Sequence, residues 1–221
     1  MQANFQAFLF DLNGTIIDDM GYHIQAWHKI INDLGKPLTY EQTKVECYGK
    51  NGEVLERVFP GRFTQEEKDA IGIAKETRYQ QEFRPHLKLI DGLDVFFEKA
   101  KESGIKMAIG SAAIMYNVDF VLDGLNIRHY FDAIVSADDV QYSKPHPETF
   151  LKCAEQLNIP AEKCIVFEDA LKGVEAAKNA GMPSVVLTTM HHAEEFEVYK
   201  NDIIAFGKDY TSIKLELPVM A

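Results

Sequence analysis

Five apolar runs of strand length, Phe5–Phe10, Met107–Gly110, Ala133–Ser136, Cys164–Phe167 and Ser184–Leu187, dominate the reading of this chain. Between the later ones lie segments whose apolar residues recur at helical spacing: Leu93–Lys101, Val118–Leu125, Glu148–Leu157 and Val174–Ala180. Strand and helix alternating in this way imply a parallel sheet with helices on both faces. Sheets of that kind place ligands beyond the carboxyl ends of their strands, so the residues that follow each run carry the functional signal.

One stretch breaks the alternation. From about Ile16 to Pro85 the pattern is of successive helices with no convincing strand between them, which marks an insertion. Ala26, Trp27, Ile30, Ile31 and Leu34 recur at helical spacing, and Gly35 followed by Pro37 supplies a stop. A second helix is expected after Thr39 and another after Thr64, where Glu67 completes a capping box. The expected organisation is an α/β core of residues 1–15 and 86–221, with a Rossmann-like parallel sheet, and an inserted α-helical cap of residues 16–85. A chain of 221 residues is long enough for both.

Composition narrows the function classes. Hydrophobic residues make up 46% and charged residues 26% of the chain, proportions of an ordinary folded protein. A formal net charge of −11 opposes long-range attraction to nucleic acid and to anionic lipid, so neither is expected as a partner. No segment reaches the ~18 apolar residues that span a bilayer, and no basic region with a long apolar stretch opens the chain. Three cysteines, Cys47, Cys153 and Cys164, form no C-x-x-C pair and suggest neither a disulfide framework nor a structural zinc site. A reducing, cytoplasmic setting and a monomer are the expectations.

The sharpest motif is Phe8-Leu9-Phe10-Asp11-Leu12-Asn13-Gly14-Thr15, an apolar strand ending in short polar side chains, with a glycine that lets the backbone turn sharply. A calcium loop also runs Asp-x-Asn-Gly, but it lies between helices and closes on a Glu, whereas this one follows a strand. An ordinary turn remains the plain alternative. Gly110-Ser111-Ala112 closes the second strand, Tyr142-Ser143-Lys144-Pro145-His146-Pro147-Glu148 leads into a helix, and Phe167-Glu168-Asp169 ends the fourth strand. Adjacent carboxylates at a strand end repel each other unless a cation sits there. As structural residues the pair could equally cap the following helix, and Lys144 taken singly could be a solvated surface lysine.

In this order and setting the four segments resemble the signatures of the haloacid dehalogenase superfamily, over nearly the whole chain. The resemblance implies that Asp11 attacks phosphorus to form an aspartyl phosphate. It implies that Ser111 and the Ala112 N–H hold a phosphate oxygen and that Lys144 bridges nucleophile and phosphate. It also implies that Asp11, Asn13 through its backbone carbonyl, Glu168 and Asp169 gather around Mg²⁺; hard oxygen donors suit that ion better than zinc. A helical insertion directly after the first signature is similar to the β-phosphoglucomutase-like subfamily. Tyr22-His23-x-x-Ala26-Trp27 matches that subfamily's first cap helix, which makes His23 a candidate for aligning the acid/base residue. Lys75 falls where the subfamily carries a cap lysine that contacts sugar or phosphate, and Lys50 is a further candidate contact. The substrate implied is a small phosphorylated metabolite, bound at the junction of cap and core.

Two positions depart from the pattern. Asn13 stands where the family normally has an Asp that protonates the leaving oxygen and later activates water, and an amide can do neither. Three readings stay open: an engineered trap, an enzyme restricted to leaving groups that depart without a proton, or a phospholigand-binding protein that has lost turnover. Gly52 stands where mutase members place an arginine for a second phosphate, and Lys50 cannot supply the planar grip of a guanidinium. Hydrolysis of a phosphate monoester is therefore expected before sugar-phosphate mutation.

Overall fold

The computed structural model describes residues 5–213. Six strands form one sheet: β1 (Ala7–Phe10), β2 (Lys106–Gly110), β3 (Ala133–Val135), β4 (Cys164–Glu168), β5 (Ser184–Leu187) and β6 (Ile203–Gly207). Their order is β3-β2-β1-β4-β5-β6, and every pair is parallel. The order reverses direction between β1 and β4, and in such a sheet the crevice at that point is where ligands bind. Asp11 and Glu168-Asp169 stand at the carboxyl ends of those two strands.

The strand alternation dictates the two faces. Ala7 and Leu9 of β1 join Ala108, Cys164 and Val166 against α7 (Glu148–Leu157) and α8 (Leu171–Asn179), through Phe150, Cys153, Ala176 and Ala177. Phe8 and Phe10 point to the opposite face, where Phe10 stacks on Phe167 at 4.6 Å between ring centroids. There Phe10 also meets Phe97 of α5 (Leu93–Glu102) edge-on at 5.4 Å. Small residues on one face let helices approach closely, while aromatic rings fill the other. The sheet is thus covered on both sides, as the alternation predicts.

The sixth strand is not among those predicted, because no helical pattern separates it from β5. A 3-10 stretch, Ala193–Tyr199, makes that crossover, and β6 is a strand by virtue of the open edge β5 offers it. The helix expected at Val118–Leu125 spans Met115–Gly124 as α6, between β2 and β3.

By contact the described residues divide into two compact units, 5–18 with 88–213, and Asp19–Leu87. Ile16 and Ile17 are fully buried, and the Ile16 carbonyl accepts the Ile90 N–H at 2.9 Å, which keeps them with the sheet unit. The second unit holds α1 (Met20–Asp33), α2 (Tyr40–Glu46), α3 (Asn51–Val58) and α4 (Gln65–Phe83). Its core is Trp27, Ile31, Val54, Leu55, Val58 and Phe59. Thr39 and Thr64 form the capping boxes of α2 and α4, the latter with Glu67 as the spacing indicated. No helix among the described residues is long and apolar enough to cross a membrane.

Phe10 is fully buried under rings from β4 and α5. Phe10→Ala should lower unfolding stability by about 3–5 kcal/mol, read from the urea midpoint at unchanged slope. A loss below about 1 kcal/mol would mean that this face is not packed as described.

Candidate active site

Asp11 directly extends β1: its N–H donates to the Phe167 carbonyl at 2.9 Å, continuing the ladder by one residue and pinning the side chain beside the end of β4. Ser111 does the same for β2, donating its N–H to the Val135 carbonyl at 2.9 Å. Its hydroxyl oxygen accepts the Ala113 N–H at 3.0 Å, which closes the turn through Ala112. Asn13 lies on the turn after Asp11, where it bridges to Ile17, and Gly14 takes a positive φ of 78°.

Lys144 arrives from the loop before α7. Its Nζ donates to Asp11 Oδ1 at 2.6 Å and to Glu168 Oε1 at 2.7 Å, and it lies 4.5 Å from the centre of the Phe150 ring. The three side chains are only 8%, 10% and 2% exposed, so water screens these contacts little. Burial opposes the charge on Lys144, but attraction from Asp11 and Glu168 outweighs it and holds the ammonium above its ordinary value. Lys144 therefore stays protonated throughout the neutral range.

Glu168 divides its oxygens. Oε1 faces Lys144, while Oε2 accepts the N–H groups of Asp169 and Ala170, both at 2.9 Å, at the start of α8. Two glycines make room for the acid pair. A Cβ at Gly14 would stand 2.1 Å from Asp169 Oδ2, and one at Gly173 would stand 1.8 Å from Glu168 Oε1. Any side chain at either position would displace a carboxylate.

Asp11, Glu168 and Asp169 each offer an oxygen, all within 4.8 Å of one another, and all three residues are buried. Three carboxylates against one ammonium leave a negative excess in a site sheltered from water. An all-oxygen donor set of that charge fits a hard divalent cation such as Mg²⁺. Neither thiol nor imidazole belongs to the cluster, which argues against a zinc site.

The second unit carries its own buried polar network. Lys75 Nζ lies 2.6 Å from His23 Nδ1 and donates to Glu76 Oε2 at 2.9 Å, while Glu76 Oε1 accepts from Asn51 Nδ2 at 2.8 Å. An ammonium has only donors, so His23 Nδ1 is the acceptor and Nε2 carries the proton, directed at Asp19 Oδ2 3.2 Å away. Tyr79 stacks on the His23 ring at 3.7 Å and donates its hydroxyl to the same Asp19 oxygen. Burial, then the nearby Asp19 carboxylate, pushes the Tyr79 phenol far up. The structure thus joins His23 to Lys75 inside this unit. Lys50 is the residue before α3, its backbone N–H donating to Glu53 Oε2 at 2.9 Å. Asp19, Glu76 and Tyr79 are absent from the motif-based set; the i,i+4 spacing of Asp19 and His23 is the signal that points to the first of them.

A parallel sheet with acids at both strand ends of its switch point, and a lysine bridging them, defines a class of α/β hydrolase. The chain belongs to the haloacid dehalogenase-like hydrolase family, whose model matches residues 8–187, and it is an enzyme of that family. It is 31% identical to a fructose-1-phosphate phosphatase of Escherichia coli, over 84% of this chain and 97% of that one. Among solved structures it resembles a family IA haloacid dehalogenase hydrolase from Entamoeba histolytica, with a TM-score of 0.86, 25% identity and 96% of each chain covered. It also resembles a β-phosphoglucomutase from Clostridium difficile, with a TM-score of 0.79, 29% identity and 90% of each chain covered.

The loop that delivers Lys144 is held at both ends. Glu148 accepts the N–H groups of Gln141 and Tyr142, and Asn179 of α8 donates to the Pro145 carbonyl at 3.0 Å. Hydrogen bonds from the Tyr142 and Gln141 N–H groups bring the Glu148 carboxyl down from 4.5 to about 2. A depressed carboxylate stabilises the fold above its unfolded value and loses that contribution as pH falls through its folded value. The stability difference between the unaltered chain and Glu148→Gln should therefore be constant above pH 4.5 and shrink between there and about 2. Denaturant titrations of both proteins across that range check it; a difference that does not change with pH would rule the assignment out.

Proposed function

We propose that this enzyme is a Mg²⁺-dependent phosphatase of small phosphate esters, sugar phosphates foremost, working through a phosphorylated Asp11. The observation that carries the reading is the Lys144 ammonium set between Asp11 and Glu168, with Asp169 packed against Gly14. Asp11, Asp169 and the Asn13 carbonyl would hold the metal, with Glu168 either joining them or fixing Lys144 and the turn. When bound, Mg²⁺ supplies the positive charge that lets a phosphate dianion approach a carboxylate.

Everything else falls to the chain. Asp11 attacks phosphorus; its oxygen gains the P–O bond while the ester P–O bond breaks and the electron pair leaves with the substrate oxygen. Lys144 orients the Asp11 carboxylate through Oδ1 and offsets charge on the transferred group. Ser111 and the Ala112 N–H hold a non-bridging oxygen. Lys50 is assigned to substrate contact, while His23 and Lys75, buried against each other, order the helices of the second unit.

Asn13 can orient a leaving oxygen or a water but cannot exchange a proton with it. Esters whose leaving group departs as a stable anion are therefore the better substrates. The fructose 1-phosphate named for the Escherichia coli relative, a primary alkyl phosphate whose leaving oxygen needs a proton, belongs on the panel as the contrasting case. Gly52, in place of a second-phosphate arginine, places mutase activity behind hydrolysis. Asn13 itself favours one second reading, a phospholigand-binding protein with impaired turnover.

Phosphate release from a panel of esters with Mg²⁺ separates these readings. Asn13→Asp should release phosphate ~10²–10⁴-fold faster than the unaltered chain, the usual worth of a positioned acid/base. If both are inert yet bind phosphosugars, the binding reading replaces the enzymatic one. The unaltered chain should also accumulate acid-labile phosphate on Asp11, and equal labelling of Asp11→Ala would remove Asp11 from the mechanism. Conversion of β-glucose 1-phosphate with a bisphosphate activator would restore the mutase.

A further inference from the structure

The turn that follows β1 is held from the far end of the chain by two hydroxyls. Thr189, two residues beyond β5, donates Oγ1–H to the Gly14 carbonyl at 2.7 Å, and the Tyr210 hydroxyl donates to the Thr15 carbonyl at 3.1 Å. The neighbouring carbonyls are held locally: Leu12 accepts the Ile16 N–H at 2.8 Å and Ile17 accepts the Gly14 N–H at 2.7 Å. The Asn13–Gly14 peptide is planar and trans, so a Gly14 N–H directed at Ile17 turns the Asn13 carbonyl the opposite way. The Gly14–Thr15 peptide is set by Thr189. Between the two lies the glycine whose missing Cβ accommodates the Asp169 carboxylate.

We propose that Thr189 is a positioning residue of the divalent-cation site: by fixing the Gly14 peptide against Asp169, it sets the spacing between that carboxylate and the Asn13 carbonyl. The proposal rests on the cation reading above and adds a residue that lies outside all four motifs. Two features separate this role from simple support of the fold. Thr189 is only half-buried, so a lost hydrogen bond can be replaced by water with little effect on stability. Gly14, by contrast, adopts a backbone conformation with no side chain of its own to restrain it, so freeing its carbonyl loosens the turn where it approaches Asp169.

The test uses Mn²⁺ as the probe, titrated into the chelator-stripped full chain without substrate, with free Mn²⁺ read by electron paramagnetic resonance. Thr189→Val keeps the shape and removes the hydroxyl; Thr189→Ser keeps the hydroxyl. Thr189→Val should bind Mn²⁺ about tenfold more weakly, the lower end of what is lost when a group behind a metal's ligands is removed. Thr189→Ser should bind as the unaltered chain does, and all three should melt alike in chelator. Equal affinity in Thr189→Val would overturn the proposal. So would a lowered melting temperature in chelator for Thr189→Val together with no rescue by serine, since that marks a structural role. Asp169→Asn, expected to lose Mn²⁺, reports on the site itself. If the unaltered chain binds no Mn²⁺, the cation reading fails and takes this proposal with it; if it binds and Thr189→Val binds equally, only the clamp falls.

Discussion

Negative charge accumulates where β1 and β4 end, and the ammonium of Lys144 between Asp11 and Glu168 is the contact on which the arrangement depends. Buried carboxylates a few ångströms apart repel strongly where water cannot screen them. One lysine relieves part of that repulsion and leaves the rest as an attraction for a cation. The lysine must come from elsewhere in the chain, because the strand ends themselves supply only acids and backbone. Hence the elaborate tethering of its loop, through Glu148 on one side and Asn179 on the other.

The glycines around this centre have a single physical explanation. Gly14 and Gly173 stand where a Cβ would occupy the space of a carboxylate oxygen, so the acid pair and the backbone are fitted to each other. A carboxylate held that closely has few other places to go, which is how a site is made rigid without a large hydrogen-bond network around it. In the helical unit the opposite solution is used. Asp19, His23, Lys75 and Glu76 are buried together and linked to one another, with Asn51 and Tyr79 joining the set. Removing one member of such a network strands the others, so the helices that carry them are tied to one geometry.

Much of this was legible beforehand. Continuous apolar runs ending in Asp11, Ser111 and Glu168-Asp169 revealed both the parallel sheet and the rim at which polar groups collect, since a buried strand can change to acids only where it leaves the core. The helix start after Thr39 and the capping box at Thr64 were equally plain, because their signal is local. β6 was not legible: its crossover is a 3-10 stretch without helical periodicity, and its pairing depends on the edge of β5. Nor was the engagement of Glu168 with Lys144 and the α8 turn, because adjacency in sequence does not say where each carboxylate oxygen points.

By itself the sequence determined which residues could do chemistry and at which strand ends they would lie, for hydrophobic periodicity and short-range turn chemistry act within a few residues. Tertiary structure alone decided which of them touch. Lys144 is 133 residues from Asp11, Lys75 is 52 from His23, and Thr189 is 175 from Gly14. Contacts of that separation are selected by tertiary packing, of helices on the sheet in one unit and of helix against helix in the other, where side-chain reach and burial operate together, and no local pattern encodes them.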